Sequence, residues 1–301
     1  MSLLINKVPS VRGKLLSNAN LSSSSWFKVG GAFELLFIPK DELDLLDFII
    51  NLNSKIPIFV IGALSNTLIR DGGVEGIGIK LDEKFSGIEI NDNFIEVGAS
   101  LLNMKFAKYT KKYNFSGFEF LSGIPGTIGG SVKMNAGCFG REMSDILYEV
   151  KIIDRIKGLY SIPSEKIKMS YRKTSISSEA IIISAKLKYN KKKFGPKSDL
   201  DIKKIRLKSQ PVNQLTGGST FKNPKGYKAW KLIEEAGCRG LSIGGAKISE
   251  MHTNFIINFN NATANDIESL GNIVRKKVYN NSGVKLEWEI LKIGVSTKKE
   301  I

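Results

Sequence analysis

Histidine is almost missing from this chain: its 301 residues include one, His252. Cysteine is nearly as scarce, with Cys138 and Cys238 far apart and in no paired-ligand spacing. The two shortages argue against a Cys/His metal centre and a disulfide framework, which need several such residues at defined positions, and against a Ser–His–Asp hydrolase, for which only His252 is on hand. Dinucleotide-type G-x-G-x-x-G and Walker A loops are also absent. An enzyme made from this sequence leaves the difficult electron chemistry to an organic cofactor and keeps binding, orientation and proton delivery for its side chains. Apolar runs stop far short of a membrane span, and the longest, 56–64, is interrupted by Pro57. The start, MSLLINKVPSVRGK, lacks the charged, apolar and small-residue regions of a secretory signal, so a reducing cytoplasmic setting without a membrane partner is expected.

What is present is ordinary in bulk. A hydrophobic share of 42% and a charged share of 25% suit a globular protein with a real core, and the length suits two or three modest domains. The charge is one-sided, 45 Lys+Arg against 29 Asp+Glu, a net +16. Such a field favours polyanions. The bases are dispersed, however, over 108–113, 191–193, 203–204 and 275–277, with no zinc-finger spacing, basic tail or RRM-like aromatics. No nucleic-acid partner is therefore expected, although a basic nucleic-acid-binding protein stands as the non-enzymatic alternative.

Strand and helix signals mix without repeats. LLFI (35–38), IPIFVIGA (56–63) and AIIISAKLKY (180–189) have strand character, and IEINDNFIEVGA (88–99) predicts a hairpin turning at 91–93. Helical spacing marks 41–53, 101–113, the segment near AWKLIEEAG, and 265–281. The last is capped by Thr263 or Asn265, with Ile267, Leu270, Val274 and Val278 as its buried stripe. Strands are also predicted at 252–259 and 287–295. The class is α+β, with a boundary where hydrophobicity collapses at 191–199.

The stretch FLSGIPGTIGGSVKMNAGCFG (120–140) holds six glycines and one charge, Lys133. A linker would not carry Ile124, Ile128, Val132 and Met134. Two readings are left: a close-packed turn, or a loop whose N–H groups cradle a pyrophosphate, with Asn135 beside it. The segment VIGALSNTL (60–68) is a second place where backbone after a strand can meet a phosphate or ribityl chain. Three polar islands complete the set. SYRKTS (170–175) presents Tyr171 and Arg172, the latter either a carboxylate clamp or a surface arginine. GGSTFKNP (217–224) puts Ser219 in a glycine-opened turn, as a proton donor or a turn cap. LEWEILKIG (286–294) sets Glu287 and Glu289 on one strand face, solvated or facing a site. His252 is read as a partly buried structural residue.

In this order, GFEFLSGIPGTIGGSVKMNAGCFG, SYRKTSI, GGSTFKNP, GGAKISEMHTNFIIN and GVKLEWEILKIG, with WFKVGG and VIGALSNTLIRDGG before them, closely resemble the UDP-N-acetylenolpyruvoylglucosamine reductase (MurB) family from Trp26 to Gly294. The resemblance implies an α+β protein with a vanillyl-alcohol-oxidase-type FAD-binding fold in two N-terminal lobes, 1–82 and 83–200. A substrate lobe would follow at 201–285, with the chain end, 286–301, returning to the first. It implies non-covalent FAD held by Gly62, Ser65, Asn66, Thr67, Ser122, Gly123, Ile124, Pro125, Gly126, Thr127, Gly129, Gly130 and Asn135. It implies NADPH as hydride donor and a monomer that reduces UDP-N-acetylglucosamine enolpyruvate in peptidoglycan precursor synthesis. Arg172, Ser219 and Glu289 take the catalytic roles, and Tyr171, Lys222, Asn223 and Arg239 those of substrate contacts. The short segment between Arg172 and Ser219 resembles the family's shorter type, without an inserted tyrosine loop. Phe139 stands where the family often has tyrosine, and Leu64 where it usually has glycine. Cys138 is expected to be a packing residue. The rival within the fold is an oxidase or dehydrogenase acting on an alcohol or hydroxy acid; no histidine lies in either loop to carry a covalent flavin.

Overall fold

The computed structural model describes residues 3–189 and 199–297, so the boundary expected at 191–199 falls almost wholly outside the described residues. The chain forms two compact units. The first is Met1–Asn18, Glu34–Ala63 and Gly76–Ile205; the second is Ala19–Phe33, Leu64–Glu75 and Arg206–Ile301.

The first unit has two cores separated by a five-stranded sheet. The strand order is Gly158–Pro163, Leu147–Asp154, Ile181–Lys188, Phe94–Gly98 and Ile88–Ile90, and neighbouring strands run antiparallel. The central strand Ile181–Lys188 is buried along almost its whole length, which is why it is legible as a continuous apolar run. Its register against Leu147–Asp154 passes from Lys151↔Ser184 to Ile152↔Ile182 and skips Ile183. The irregularity switches the side-chain phase. Ile181 and Ile183 enter one core, whereas Ile182, Ala185 and Leu187 enter the other.

The first of these cores gathers Leu35, Phe37, Ile58, Ile77 and Ile79 under helix α1 (Glu42–Asn51), with the Phe37 and Phe48 rings 4.2 Å apart. Asp41 caps α1 by accepting from Asp44 N–H. The buried Asp44 carboxylate in turn accepts the backbone N–H groups of Arg12, Gly13 and Lys40 at 2.7–2.9 Å, closing the N-terminal segment onto the helix. The second core lies under α2 (Asn103–Lys112) and the short α3 (Ile128–Lys133), which belongs to the glycine-rich stretch. A further helix, α4 (Asp199–Ser209), was not expected from the sequence.

In the second unit α5 (Ala229–Glu235) and α6 (Ala264–Ser282) share a core with a three-stranded antiparallel sheet, Ser242–Ile243, Ala246–Ile248 and Ile256–Asn258. Thr263, not Asn265, caps α6, in a reciprocal box with Asp266. The Asp71 carboxylate accepts the next two N–H groups, of Ala264 and Asn265, where a negative charge suits the helix dipole. The expected stripe of Ile267, Leu270, Val274 and Val278 is fully buried. Gly271 leaves room for Trp288, whose Cη2 would stand 2.1 Å from a Cβ placed there.

Two predicted strands prove shorter. Only Ile256–Asn258 of 252–259 is strand, because Asn254 turns its side chain to both the N–H and the C=O of Phe221. Only Leu291–Ile293 of 287–295 is strand, paired in parallel with Thr67–Ile69. Residues 287–289 instead bond to 220–222, around a single bridge between Phe221 and Trp288. Among the described residues no helix is long and apolar enough to cross a membrane.

Candidate active site

The expected functional residues fall into two sets, one in each unit.

In the first unit the glycine-rich stretch is pinned by backbone bonds: Ile128 N to Leu101 O, Gly129 N to Ala99 O and Asn103 N to Gly126 O, all within 2.9–3.0 Å. The buried Asn103, at the start of α2, adds two bonds from Nδ2, to Ile124 O (3.1 Å) and Ser131 Oγ (2.7 Å). Thr127 caps α3 through Gly130 N–H, and Ser122 Oγ donates to Glu119 O. The glycines serve different ends. A Cβ on Gly129 would come 2.9 Å from Ala99 Cβ, and one on Gly123 2.9 Å from Cys138 Sγ, so these two permit close packing. Among the described residues, a Cβ on Gly62 or Gly130 would meet only Thr127 Oγ1, at 3.2 and 3.5 Å. The two expected cofactor loops therefore converge on Thr127, and each offers an otherwise uncovered backbone face. Gly126, at φ +122, occupies a conformation that side chains rarely adopt.

Past α3 the chain runs beside a hairpin, Met169–Ser170 with Lys173–Thr174, whose two turn residues are Tyr171 and Arg172. Arg172 takes φ +56. That left-handed conformation costs a non-glycine residue roughly 1–2 kcal/mol, and it persists where surrounding bonds over-determine it. Here Arg172 Nη2 donates to Gly137 O at 2.9 Å, and the guanidinium lies 4.9 Å from the Tyr171 ring centroid. Asn135, expected beside the cofactor, gives both ends of its buried side chain to the protein: Nδ2 to Ser170 O and Oδ1 to Ser144 N–H.

In the second unit, Ser219 follows Gly217 and Gly218. A Cβ on Gly217 would lie 2.3 Å from Phe27 Cε2, and Gly218 turns at φ +82. The following residues form a short ladder: Glu289 N donates to Thr220 O and Lys222 N to Glu287 O, each at 2.9 Å. Asn66 extends it, donating from Nδ2 to Glu289 O (3.0 Å) and accepting Leu291 N–H on its own carbonyl. The residues flanking Ser219, Glu289 and the Asn66 loop thus sit on one hydrogen-bonded framework. Ser219 is half-buried, and among the described residues no group bonds its Oγ. Leu64, where glycine was the family expectation, takes φ +51 and is buried.

Three expected substrate contacts have protein partners. Lys222 Nζ is 3.5 Å from Glu287, Asn223 Oδ1 accepts Ala229 N–H, and Arg239 pairs with Glu234 through two nitrogens. Glu287 is exposed. His252, packed on Phe255 with ring centroids 4.8 Å apart, has its pKa lowered by burial, as a structural histidine should.

Sequence reasoning passed over Asn103, Asn254 and Asp71. A polar residue on the inward stripe of a helix (Asn103, then Phe106, Ala107 and Thr110) was the available signal for the first. The other two act on backbone groups remote in sequence and leave no local trace.

An FAD-binding domain matches residues 33–159, and the C-terminal domain of UDP-N-acetylenolpyruvoylglucosamine reductase matches 210–293. The UDP-N-acetylenolpyruvoylglucosamine reductase of Rickettsia conorii is 48% identical over 292 residues, which cover 95% of this chain and 98% of the relative. That of Rickettsia bellii is 46% identical over 293 residues, 95% of this chain and 96% of the relative. The crystal structure of the Thermus caldophilus reductase superposes with a TM-score of 0.80 at 30% identity, covering 95% of this chain and 100% of that one. The fold is α+β, with a vanillyl-alcohol-oxidase-type FAD-binding part and a C-terminal substrate domain. The chain belongs to the UDP-N-acetylenolpyruvoylglucosamine reductase family of FAD-dependent oxidoreductases.

Proposed function

We propose that Arg172, Ser219 and Glu289 carry the reaction of this chain, the NADPH-dependent reduction of UDP-N-acetylglucosamine enolpyruvate to UDP-N-acetylmuramate in peptidoglycan precursor synthesis. FAD, when bound, would supply the enolpyruvyl C3 with a hydride that originates from NADPH. The residues present fit that cofactor, because Gly62 and Gly130 present uncovered backbone on either side of Thr127. Ser65, Asn66, Thr67 and the 122–130 loop complete its binding set. Asn135 would support that set by tying its segment to Ser170 and Ser144.

Hydride addition at C3 builds negative charge at C2, which spreads into the adjoining carboxylate. Arg172 binds that carboxylate through parallel N–H groups and lowers the cost of the charge. Ser219 then gives its hydroxyl proton to C2, which completes the saturated product. Serine is a poor acid in water, but within ~2.6–3.2 Å of a carbanion it is competent. The observation that carries this assignment is the ladder joining Thr220, Glu289 and Asn66, with the Ser219 hydroxyl committed to no other described group. Glu289 shares in orienting the carboxylate.

Tyr171, Lys222 and Asn223 serve the nucleotide side of the substrate. Arg239, already paired with Glu234, is the weakest of the four substrate-contact candidates. We also divide the chain into flavin lobes at 1–82 and 83–200 and a substrate lobe at 201–285, although the core under α1 takes Phe85, Ile153, Ile181 and Ile183 from the second of these as well. We further place the enzyme in the cytoplasm, as a monomer of the family's shorter type. The test is an anaerobic visible spectrum: NADPH should bleach the flavin band and the enolpyruvyl substrate should restore it. A band that bleaches but stays bleached with that substrate would overturn the reading.

A further inference from the structure

The glycine-rich stretch carries one charge, Lys133, the last residue of α3. Its chemistry is unusual for an ammonium. Nζ donates to the backbone carbonyls of Ile176, at 2.7 Å, and Ser177. Burial alone pushes its pKa down, to about 8. A half-buried lysine with no carboxylate partner among the described residues costs stability, so the position calls for a reason.

The reason lies in what the two carbonyls belong to. They follow directly on the hairpin that carries Arg172. From base to tip, alternate residues of the glycine-rich segment bind that hairpin. At 133, Nζ holds Ile176 and Ser177 while the carbonyl accepts Thr174 Oγ1 at 2.8 Å. At 135, Asn Nδ2 holds Ser170 O at 3.2 Å. At 137, the glycine carbonyl accepts Arg172 itself at 2.9 Å. Lys133 is the only one of the three that grips the base through a side chain long enough to span to the far strand's exit. The same α3 begins at Thr127, where the flavin loops converge.

We propose that Lys133 is a positioning residue for Arg172: it fixes the base of the 169–174 hairpin to α3, so that the strained arginine at the tip keeps a set distance from the flavin loop. The inference rests on the reading that Arg172 takes the substrate carboxylate. Lys133 touches neither substrate nor cofactor in this role, and a displacement of about 1 Å at the tip is enough to slow a positioned reaction on the order of 100-fold.

The test is anaerobic stopped-flow on the FAD-loaded enzyme, with Lys133→Met, Lys133→Arg, Arg172→Ala and the double variant Lys133→Met/Arg172→Ala. Lys133→Met should bind FAD and be bleached by NADPH at the wild-type rate, within about twofold. Its reoxidation by the enolpyruvyl substrate should be about 10- to 100-fold slower. Lys133→Arg, which keeps a charged donor, should recover most of that loss. The double variant should reoxidise no more slowly than Arg172→Ala, because the two substitutions remove one function. Wild-type reoxidation in Lys133→Met, equal slowing of both half-reactions, or additive losses in the double variant would each overturn the proposal. Normal reoxidation in Arg172→Ala would overturn the Arg172 reading itself, which separates the two failures. Should Lys133→Met not fold, Thr174→Val cuts the second tether at the same level and is held to the same outcomes.

Discussion

The two units hold the residues proposed to carry the reaction by different means. In the first, Arg172 and Asn135 stand in left-handed backbone at φ +56 and +47, held there by side-chain bonds across to neighbouring segments. In the second, Ser219 and Glu289 are placed by glycine turns and a backbone ladder, in which Glu289 takes part through its main-chain N–H and C=O. The difference follows from chemistry. A guanidinium can brace itself against a carbonyl and still present other N–H groups to a carboxylate. A serine that must release its only proton has no donor to spare, so the main chain has to place it.

The comparison breaks most sharply at Ser219. Ser219→Ala leaves the ladder intact, so FAD binding and bleaching by NADPH should be normal. Reoxidation by the enolpyruvyl substrate should fall by roughly 10²–10⁴-fold, the usual size of a lost proton donor. Normal turnover would show that the proton comes from elsewhere. Arg172→Lys keeps the charge but loses the parallel fork, and should slow reoxidation by roughly 10²–10³-fold, with the KM for substrate raised. Little change would mean that a point charge suffices and the strained turn has another purpose.

A glycine exchange in each unit separates site from scaffold. Gly130→Ala puts its Cβ 3.5 Å from Thr127 Oγ1, an ordinary contact. The fold should keep its Tm, while FAD binding weakens at least about tenfold in a visible titration. Gly217→Ala drives a Cβ into the Phe27 ring, 2.3 Å from Cε2. It should cost about 1–3 kcal/mol of stability. The three tryptophans, Trp26, Trp230 and Trp288, all belong to the second unit, so its unfolding can be followed by their fluorescence. If Gly130→Ala kept wild-type FAD affinity, the uncovered face at Thr127 would not be a cofactor surface.

Much of this was legible in the chain. The run AIIISAKLKY announced the central strand because it is buried on both faces, and the α6 stripe announced itself by helical spacing. The islands around Arg172, Ser219 and Glu289 stood out because polar residues sat among glycines or apolar neighbours. Three things were hidden for one physical reason, that a bond between distant segments has no local period. The pairing of 287–289 with 220–222 looked like a strand, since its residues alternate as a strand's do. Asn135 looked like a ligand contact, because a buried amide gives no sign of which backbone it will bind. Lys133 was conspicuous only as the one charge in an uncharged stretch, and its carbonyl partners lie some forty residues on.

The smallest expected effect concerns how the second unit keeps the segment around Arg70 attached to α6. Glu268 binds Arg70 Nε at 2.8 Å and Nη2 at 3.0 Å, and it also accepts from Lys292 Nζ at 2.8 Å. The Arg70 hydrogen bond, helped by Lys292, holds its pKa at about 2, below the ordinary 4.5. A carboxylate with a depressed folded pKa stabilises the folded state fully above its unfolded value, and that contribution is lost as pH falls through the folded value. The window for Glu268 therefore runs from about 4.5 down to about 2. Because the network is partly exposed, its worth at neutral pH should be on the order of 1 kcal/mol. Glu268→Gln should lower the urea midpoint of the tryptophan signal slightly at pH 7 and flatten its decline between pH 4.5 and the acid limit. A variant whose midpoint falls as steeply with acid as the wild type would show that Glu268 does not set the acid sensitivity of this unit. The parallel pairing and the Asn66 and Arg70 bonds to Glu289 O and Gly294 O would then hold the two segments without a pH-dependent contribution from Glu268.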